Sequence, residues 1–269
     1  YKNLMNELPL GKPTDYPTAY NPNILVPINR TDSRRRLGME LSSQEVFGID
    51  SWTSYELSWL DSNSVPRNGI LYLSYNAFSK NFVESKSLKL YLNSINNHIF
   101  SNEEHLSEVL KKDVEACVNS EVQIEIKKKL KEFFVSANSI DDCPIERVSE
   151  EVNSLVLKTE KFDSDEQLSC SLFRSLCPVT AQPDWATITI AYKGKNIIQS
   201  TLLSYLLSFR NHQGFHEECV ERIFTDLTKR CKPERLTVQA NFLRRGGIEI
   251  NPIRSSVNNF DVILRDARQ

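Results

Sequence analysis

Several features that would place a chain quickly in a functional class are missing from this one. It has no G-x-G-x-x-G fingerprint and no P-loop, which argues against a Rossmann-type cofactor domain. Its six cysteines, at 117, 143, 170, 177, 219 and 231, contain no C-x-x-C pair. His216 and Cys219 lie three apart, but four histidines supply no second clustered Cys/His pair, so the ligand count argues against a structural zinc site. No apolar run approaches the length of a membrane span; the most apolar window, Leu202 to Phe209, is short and interrupted by serines. The first thirty residues are rich in Pro, Asn and Thr and lack the apolar core of a signal peptide. Neither sign of charge dominates. With 33 Lys and Arg against 35 Asp and Glu, the net charge of −2 gives no drive toward nucleic acid or an anionic membrane surface. The one dense basic cluster, Arg34-Arg35-Arg36, reads as a solvated loop. These absences leave a cytoplasmic chain with reduced thiols, whose 269 residues suffice for one large domain or two modest ones.

What is present is a patterned chain behind an irregular arm of residues 1–45. An aromatic-rich segment, Trp52 to Leu60, is expected to pack on the core. Residues 70–75 read as a strand, and Ser87 to Asn93 as the start of a further apolar segment. Leu106, Val109, Leu110 and Val114 recur at helical spacing within Glu103 to Cys117, and Val122, Ile124 and Ile126 alternate as a strand. The second half repeats this plan: a strand at 187–192, a turn at 193–195, helices over Ile198 to Phe209 and Phe215 to Cys231, and an alternating strand at 236–242. Asn97-His98 with Phe100, an acidic pair and Cys117 parallels Asn211-His212 with Phe215, an acidic pair and Cys231. This points to an internal duplication of a strand–helix–helix–strand unit. The acidic, Ser-rich stretch between the halves reads as a connection carrying a short strand at Ser154 to Leu157. The expected division is an arm (1–45), a first unit (46–134), a connecting segment (135–170) and a second unit (171–269).

Four segments can carry chemistry, and each also has a bland reading. Cys177 lies in L-C-P-V-T-A-Q-P-D-W, where two prolines forbid regular helix or central strand and so define an ordered loop. A thiolate there, seven residues before Asp184, can pair a nucleophile with a proton donor; a small buried hydrophobe explains it equally. Glu217, beside His216 and Glu218, opens a helix. Its carboxylate either complements the helix dipole or accepts two N–H groups from the amidine-like edge of a heterocycle. Arg244-Arg245-Gly246-Gly247 reads as a phosphate-binding turn or a surface hairpin. Glu84 to Tyr91, E-S-K-S-L-K-L-Y, interleaves hydroxyls and cations at period two, as in a phosphate-binding face or the polar face of an edge strand.

Taken together and in order, these segments resemble the 7-cyano-7-deazaguanine reductases of queuosine biosynthesis. E-S-K-S-L-K-L-Y at 84–91 is similar to that family's signature and C-P-V-T-A-Q-P-D-W at 177–185 to its catalytic loop; F-H-E-E-C-V-E-R-I-F at 215–224 and R-R-G-G at 244–247 match later motifs. The resemblance runs from about residue 10 to the end of the chain and is weakest at 62–80 and 134–168. It implies an α+β fold of two tandem tunnelling-fold (T-fold) units, antiparallel sheets with helices packed on one face, and a homodimer without nucleic-acid or membrane partners. It also implies NADPH as cofactor, no metal, and a 7-deazapurine nitrile as substrate. By motif, Cys177 forms a covalent thioimidate and Asp184 donates the proton. Val83, Glu84, Ser85, His216 and Glu217 hold the substrate, and Ser85, Lys86, Arg245 and Gly246 contact NADPH. The chain departs from the family pattern at Ala181 and Ala186, where Gly or His and Gly are expected, and at Val83 in place of Ile. Two other classes share such a scaffold, namely a metal-dependent pterin-type cyclohydrolase and a non-catalytic purine-binding protein.

Overall fold

The computed structural model describes residues 16–39, 41–42, 45–130, 137–145, 147–263, 265–266 and 268–269. Their backbone contacts divide into two compact units: the described residues within 16–36, 51–130 and 244–249 form one, and those within 37–50, 137–243 and 250–269 the other.

The first unit begins, after a 3-10 turn at Pro22–Ile24, with β1 (Pro27–Asn29) and α1 (Arg30–Arg36). The described part of the expected irregular arm is therefore partly regular; residues 1–15 lie outside the described residues. The arginine cluster is helical and not a loop, although Arg35 and Arg36 are exposed as expected. It sits in α1, where the Arg34 guanidinium donates to Ala77 O at 2.8 Å and lies over the Phe78 ring at 4.7 Å. Then follow β2 (Phe47–Leu60), β3 (Pro66–Asn76), β4 (Asn81–Val83), α2 (Ser85–Ser94), α3 (Glu103–Val118) and β5 (Val122–Lys127). β3 lies between β2 and β5 and pairs antiparallel with β5, while β4 pairs antiparallel with β1.

The E-S-K-S-L-K-L-Y segment is not an edge strand. Glu84 caps α2, its two carboxylate oxygens accepting from Lys86 N and Ser87 N at 2.8 Å each. With two orphan N–H groups satisfied at the first turn, Leu88, Tyr91 and Leu92 fall on one buried helical face. α3 is capped by Asn102, buries Leu106, Leu110 and Val114, and packs along β5. Full burial of each such aliphatic side chain is worth roughly 2 kcal/mol.

The second unit contains β6 (Asn138–Ser139), β7 (Thr159–Leu176), β8 (Pro183–Ile197), α4 (Gln199–Leu207), α5 (His216–Cys231), β9 (Arg235–Phe242) and most of β10 (Ile248–Ser255). Strand order is β10-β9-β8-β7-β6, antiparallel except for the short parallel β6–β7 pair. β7, which the sequence left inside a connection, runs for 18 residues with β8. The expected strand at Ser154 to Leu157 is instead a 3-10 turn, Ser154–Val156, capped by Asn153. α5 is buried along Val220, Ile223, Phe224 and Leu227 and packs on β9. The α+β class, the antiparallel sheets and the helices on one face agree with the sequence reading.

The two units repeat one local geometry. In the first, Leu60 N donates to His98 O (3.0 Å) and Phe100 N to Leu60 O (2.9 Å); in the second, Leu176 N donates to His212 O (2.8 Å) and Gly214 N to Leu176 O (3.1 Å). Each strand end is thus clipped to the segment that precedes the second helix. The turns after Leu60 and Leu176 also correspond, each holding one left-handed residue, Ser64 (φ 60°) and Ala181 (φ 55°). The second helices both end on a left-handed residue, Asn119 and Lys232. This is the duplication that the paired Asn-His motifs suggested.

Candidate active site

Cys177 is the first residue beyond β7. The ladder ends on the Leu176–Pro183 pair, and a tight turn carrying Pro178 closes it: Cys177 N donates to Gln182 O at 2.9 Å and Ala181 N to Cys177 O at 3.0 Å. The thiol side chain is only 4% exposed. Of the two departures from the family pattern, Ala186 lies within β8, opposite Phe173 and Phe242, with ordinary extended backbone. Ala181 is the strained one, because its φ of 55° suits glycine.

β8 then places Asp184 opposite Ser175 in the ladder, 4% exposed. Its Oδ1 lies 3.4 Å from Nε2 of His216, the first residue of α5. The His216 ring rests on Phe242, with centroids 4.0 Å apart. The junction approaches closely because Gly214 has no side chain; a Cβ there would stand 3.2 Å from His212 Nε2 and 3.4 Å from Cys219 Sγ. Glu218 answers the capping question raised for the acidic pair: its carboxylate accepts from Phe215 N at 3.0 Å. Glu217, next to His216, is buried. The second unit therefore brings Cys177, Asp184, His216 and Glu217 to the junction of the β7–β8 turn with the N-terminus of α5.

The other thiols are poor rivals. Burial pushes Cys117 and Cys170 up to about 12 and Cys231 up to about 11. Cys219 is pushed up furthest, first by burial and then by the nearby carboxylates of Glu218, Asp184 and Glu217. Raised in this way, these four thiols hold little of the reactive thiolate at neutral pH. Cys143 lies on the connecting segment, with Sγ 3.6 Å from Gln199 Oε1. All six cysteines are free, and among the described residues no group of three His, Cys, Asp or Glu side chains is arranged to hold a metal.

The remaining expected site residues lie in the first unit. Val83 is buried and donates its N–H to Tyr75 Oη at 3.2 Å; Glu84 N donates to Val26 O at 2.9 Å. Ser87 completes the junction, its hydroxyl donating to Glu84 O (2.7 Å) and accepting from Val26 N (3.0 Å). Burial raises the Glu84 carboxyl above its usual range, against the backbone N–H groups and the Lys86 charge that pull it down. Ser85 and Lys86 open α2, half-buried.

The Arg245–Gly247 turn is closed by Arg245 N donating to Ile248 O at 3.0 Å, and Tyr55 N donates to Gly247 O at 3.0 Å. The Arg244 guanidinium covers the Tyr55 ring at 4.6 Å, and Tyr55 Oη donates to Glu249 Oε1 at 2.7 Å. Gly246 and Gly247 are both left-handed, and a Cβ at Gly246 would collide with the Lys89 ammonium. Lys89, one helical turn beyond Ser85, was not singled out from the sequence; once 84–91 is read as a helix its approach to this turn follows. Gly214 and Phe242 were also missed, and no local motif marks either.

Comparison with known proteins gives two family matches in tandem. The family described as nitrile reductase, 7-cyano-7-deazaguanine-reductase N-term, matches residues 16–126, and the QueF-like protein family matches residues 183–260. One match falls on each half, as tandem tunnelling-fold units require. The chain is 42% identical to the NADPH-dependent 7-cyano-7-deazaguanine reductase of Desulfotalea psychrophila, over 100% of this chain and 99% of that protein. It is 41% identical to the enzyme of that name from Saccharophagus degradans (94% of this chain, 95% of the relative) and 39% identical to that of Bordetella avium (98% and 99%). With two family matches in tandem and near-complete relatives, the chain belongs to the 7-cyano-7-deazaguanine reductase (QueF) family.

Proposed function

We propose that this protein reduces the nitrile of 7-cyano-7-deazaguanine to the aminomethyl group with NADPH, a step of tRNA queuosine biosynthesis. The observation that carries the reading is the approach of buried Asp184 to His216 at the start of α5, on the strand that follows the turn of buried Cys177. The residue roles and the covalent route that follow are part of the proposal.

Cys177 Sγ adds to the nitrile carbon while Asp184 gives its proton to the nitrile nitrogen, so a C–S bond replaces one C–N π bond and a thioimidate results. A free nitrile is a poor acceptor, whereas this carbon is electrophilic, so one hard step is divided into easier ones. Asp184 must hold a proton near neutral pH, a state that a buried site favours. His216 and Glu217 hold the ring, the Glu217 carboxylate accepting two N–H groups from the amidine-like edge. Val83, Glu84 and Ser85 contribute further substrate contacts. The low exposure of Cys177 and Asp184 limits the access of water, which would hydrolyse an imine.

NADPH, when bound, would supply the hydride, and two are needed per nitrile, with two protons, to reach the amine; between them the C–S bond would break, its electron pair returning to Cys177 Sγ and leaving an imine for the second hydride. The residues present fit its phosphates. Lys89 stands against a turn that carries Arg245 and whose Gly246 backbone has no side chain, and Lys86 lies three residues before Lys89 on α2. Ser85 adds a hydroxyl at the helix start.

We place the protein in the cytoplasm as a homodimer, with 46–134 and 171–269 as its two functional units. Support comes from six free cysteines and from the first half of β7, which exposes Phe162 (59%) and has no partner strand other than β8 among the described residues. No helix is long and apolar enough to cross a membrane among the described residues. The test of the reading is intact-mass analysis after mixing with the nitrile. One covalent equivalent is expected on the wild type and none on Cys177→Ala, and an unmodified wild type overturns it.

A further inference from the structure

The second unit holds a fully buried cluster of charge that the chemistry above does not use. Arg254 on β10 has no exposed side-chain surface, nor does Asp50 in the opening residues of β2, and Glu221 on α5 is all but buried. The guanidinium is fixed along one edge. Its Nη1 donates to Asp50 Oδ1 and Ile253 O at 2.8 Å each. The other edge faces α5, where Nε (3.1 Å) and Nη2 (2.8 Å) both donate to a single oxygen, Glu221 Oε1.

Such a cluster is a poor way to gain stability, since apolar residues of similar volume generally hold a helix at least as well. What two converging N–H groups on one oxygen do supply is a fixed position. Glu221 lies four residues beyond Glu217, on the same face of a continuous helix. A slip of one residue would shift the start of α5 by about 1.5 Å and rotate it by about 100°. That motion would carry Glu217 off any ring edge and take His216 away from Asp184.

We propose that Glu221, gripped by the Arg254–Asp50 pair, is a positioning residue that sets where Glu217 and His216 stand against the substrate ring. This rests on the proposed reading of the site. It specifies an effect on nitrile recognition and not on NADPH.

The test compares Glu221→Ala and Glu221→Gln in the full-length enzyme by steady-state kinetics. Nitrile binding to each is also measured calorimetrically in a Cys177→Ala background. Gln keeps a carbonyl oxygen for both Arg254 donors, whereas Ala removes it. For Glu221→Ala, KM and Kd for the nitrile should rise by on the order of tenfold or more, with KM for NADPH and kcat within about twofold of wild type. Glu221→Gln should recover most of the lost affinity. An unchanged nitrile KM in the alanine variant overturns the proposal, as does an equal loss in kcat and both KM values that Gln fails to rescue. If Glu221→Ala does not fold, Arg254→Lys, which keeps the charge but not the two-point contact, decides in its place. Its nitrile KM should rise selectively, and an unchanged value overturns the proposal. A wild type that neither binds nor reduces the nitrile removes the proposed function and this inference together. An active wild type with unaffected variants removes this inference alone.

Discussion

At the scale of single residues, the proposed reactive arrangement depends on the turn that joins the last residue of β7, Leu176, to the first of β8, Pro183. Cys177 takes the position just beyond the β7 ladder and Asp184 a position just inside β8, so the turn between them fixes both. If Asp184 protonates the nitrile nitrogen, Asp184→Asn should keep the fold and lower the rate of adduct formation by about 10²- to 10⁴-fold. Stopped-flow measurement at saturating nitrile reads this directly, and an unchanged rate would assign the proton to another group. The same turn holds Ala181 in the left-handed region at φ 55°. Relieving this with Ala181→Gly should stabilise the protein by about 1 kcal/mol, to be read from denaturant unfolding. A loss of stability would show that the turn tolerates alanine without strain.

At the scale of elements, the start of α2 combines a cap with a buried charge. Because Glu84 is raised in the folded state, the native protein holds that proton more tightly than the unfolded chain does. The stability it contributes is complete below the unfolded carboxylate value and is lost as pH rises through the folded one. Glu84→Gln does not titrate, so the stability of the variant relative to wild type should increase with pH from about 4 upward. Denaturant midpoints across that range test the sign, and a difference that falls with pH contradicts it.

The start of α2 also shows what a one-dimensional reading can mistake. S-L-K-L alternates as a strand does, and only the Glu84 cap, together with burial of Leu88, Tyr91 and Leu92 on one face, turns the segment helical. β7 was hidden for a different reason. Its first half, T-E-K-F-D-S-D-E, is largely solvent-exposed and is held by its ladder to β8, so it carries no apolar period to read. By contrast α3 and β5 bury one face each, and their sequences state it. The loop of Cys177 and the acidic start of α5 were legible as motifs. The roles of Gly214 and Phe242 were not, because both arise from approaches between distant segments.

At the scale of the whole molecule, duplication has left two copies of one scaffold carrying different chemistry. The turn after Leu60 and the turn after Leu176 are built alike, yet the first begins with Asp61, bonded through Oδ2 to Arg67 Nε at 2.8 Å, and the second with Cys177. The capped start of α2 carries Glu84, Ser85 and Lys86, whereas the corresponding helix α4 begins after Ile198 without a side-chain cap. Each unit thus retains one half of the motif set that the proposed reaction requires. As a homodimer the protein should sediment at twice the 31.0 kDa chain mass, and a monomer at working concentration would remove that part of the proposal.

The central claim is that Cys177 is the nucleophile toward a nitrile, and intact-mass spectrometry of the protein mixed with 7-cyano-7-deazaguanine without NADPH tests it most directly. The account predicts a mass increase of one substrate on wild type, absent in Cys177→Ala and discharged when NADPH is added. An unmodified wild type, or an adduct that survives in Cys177→Ala, would contradict it.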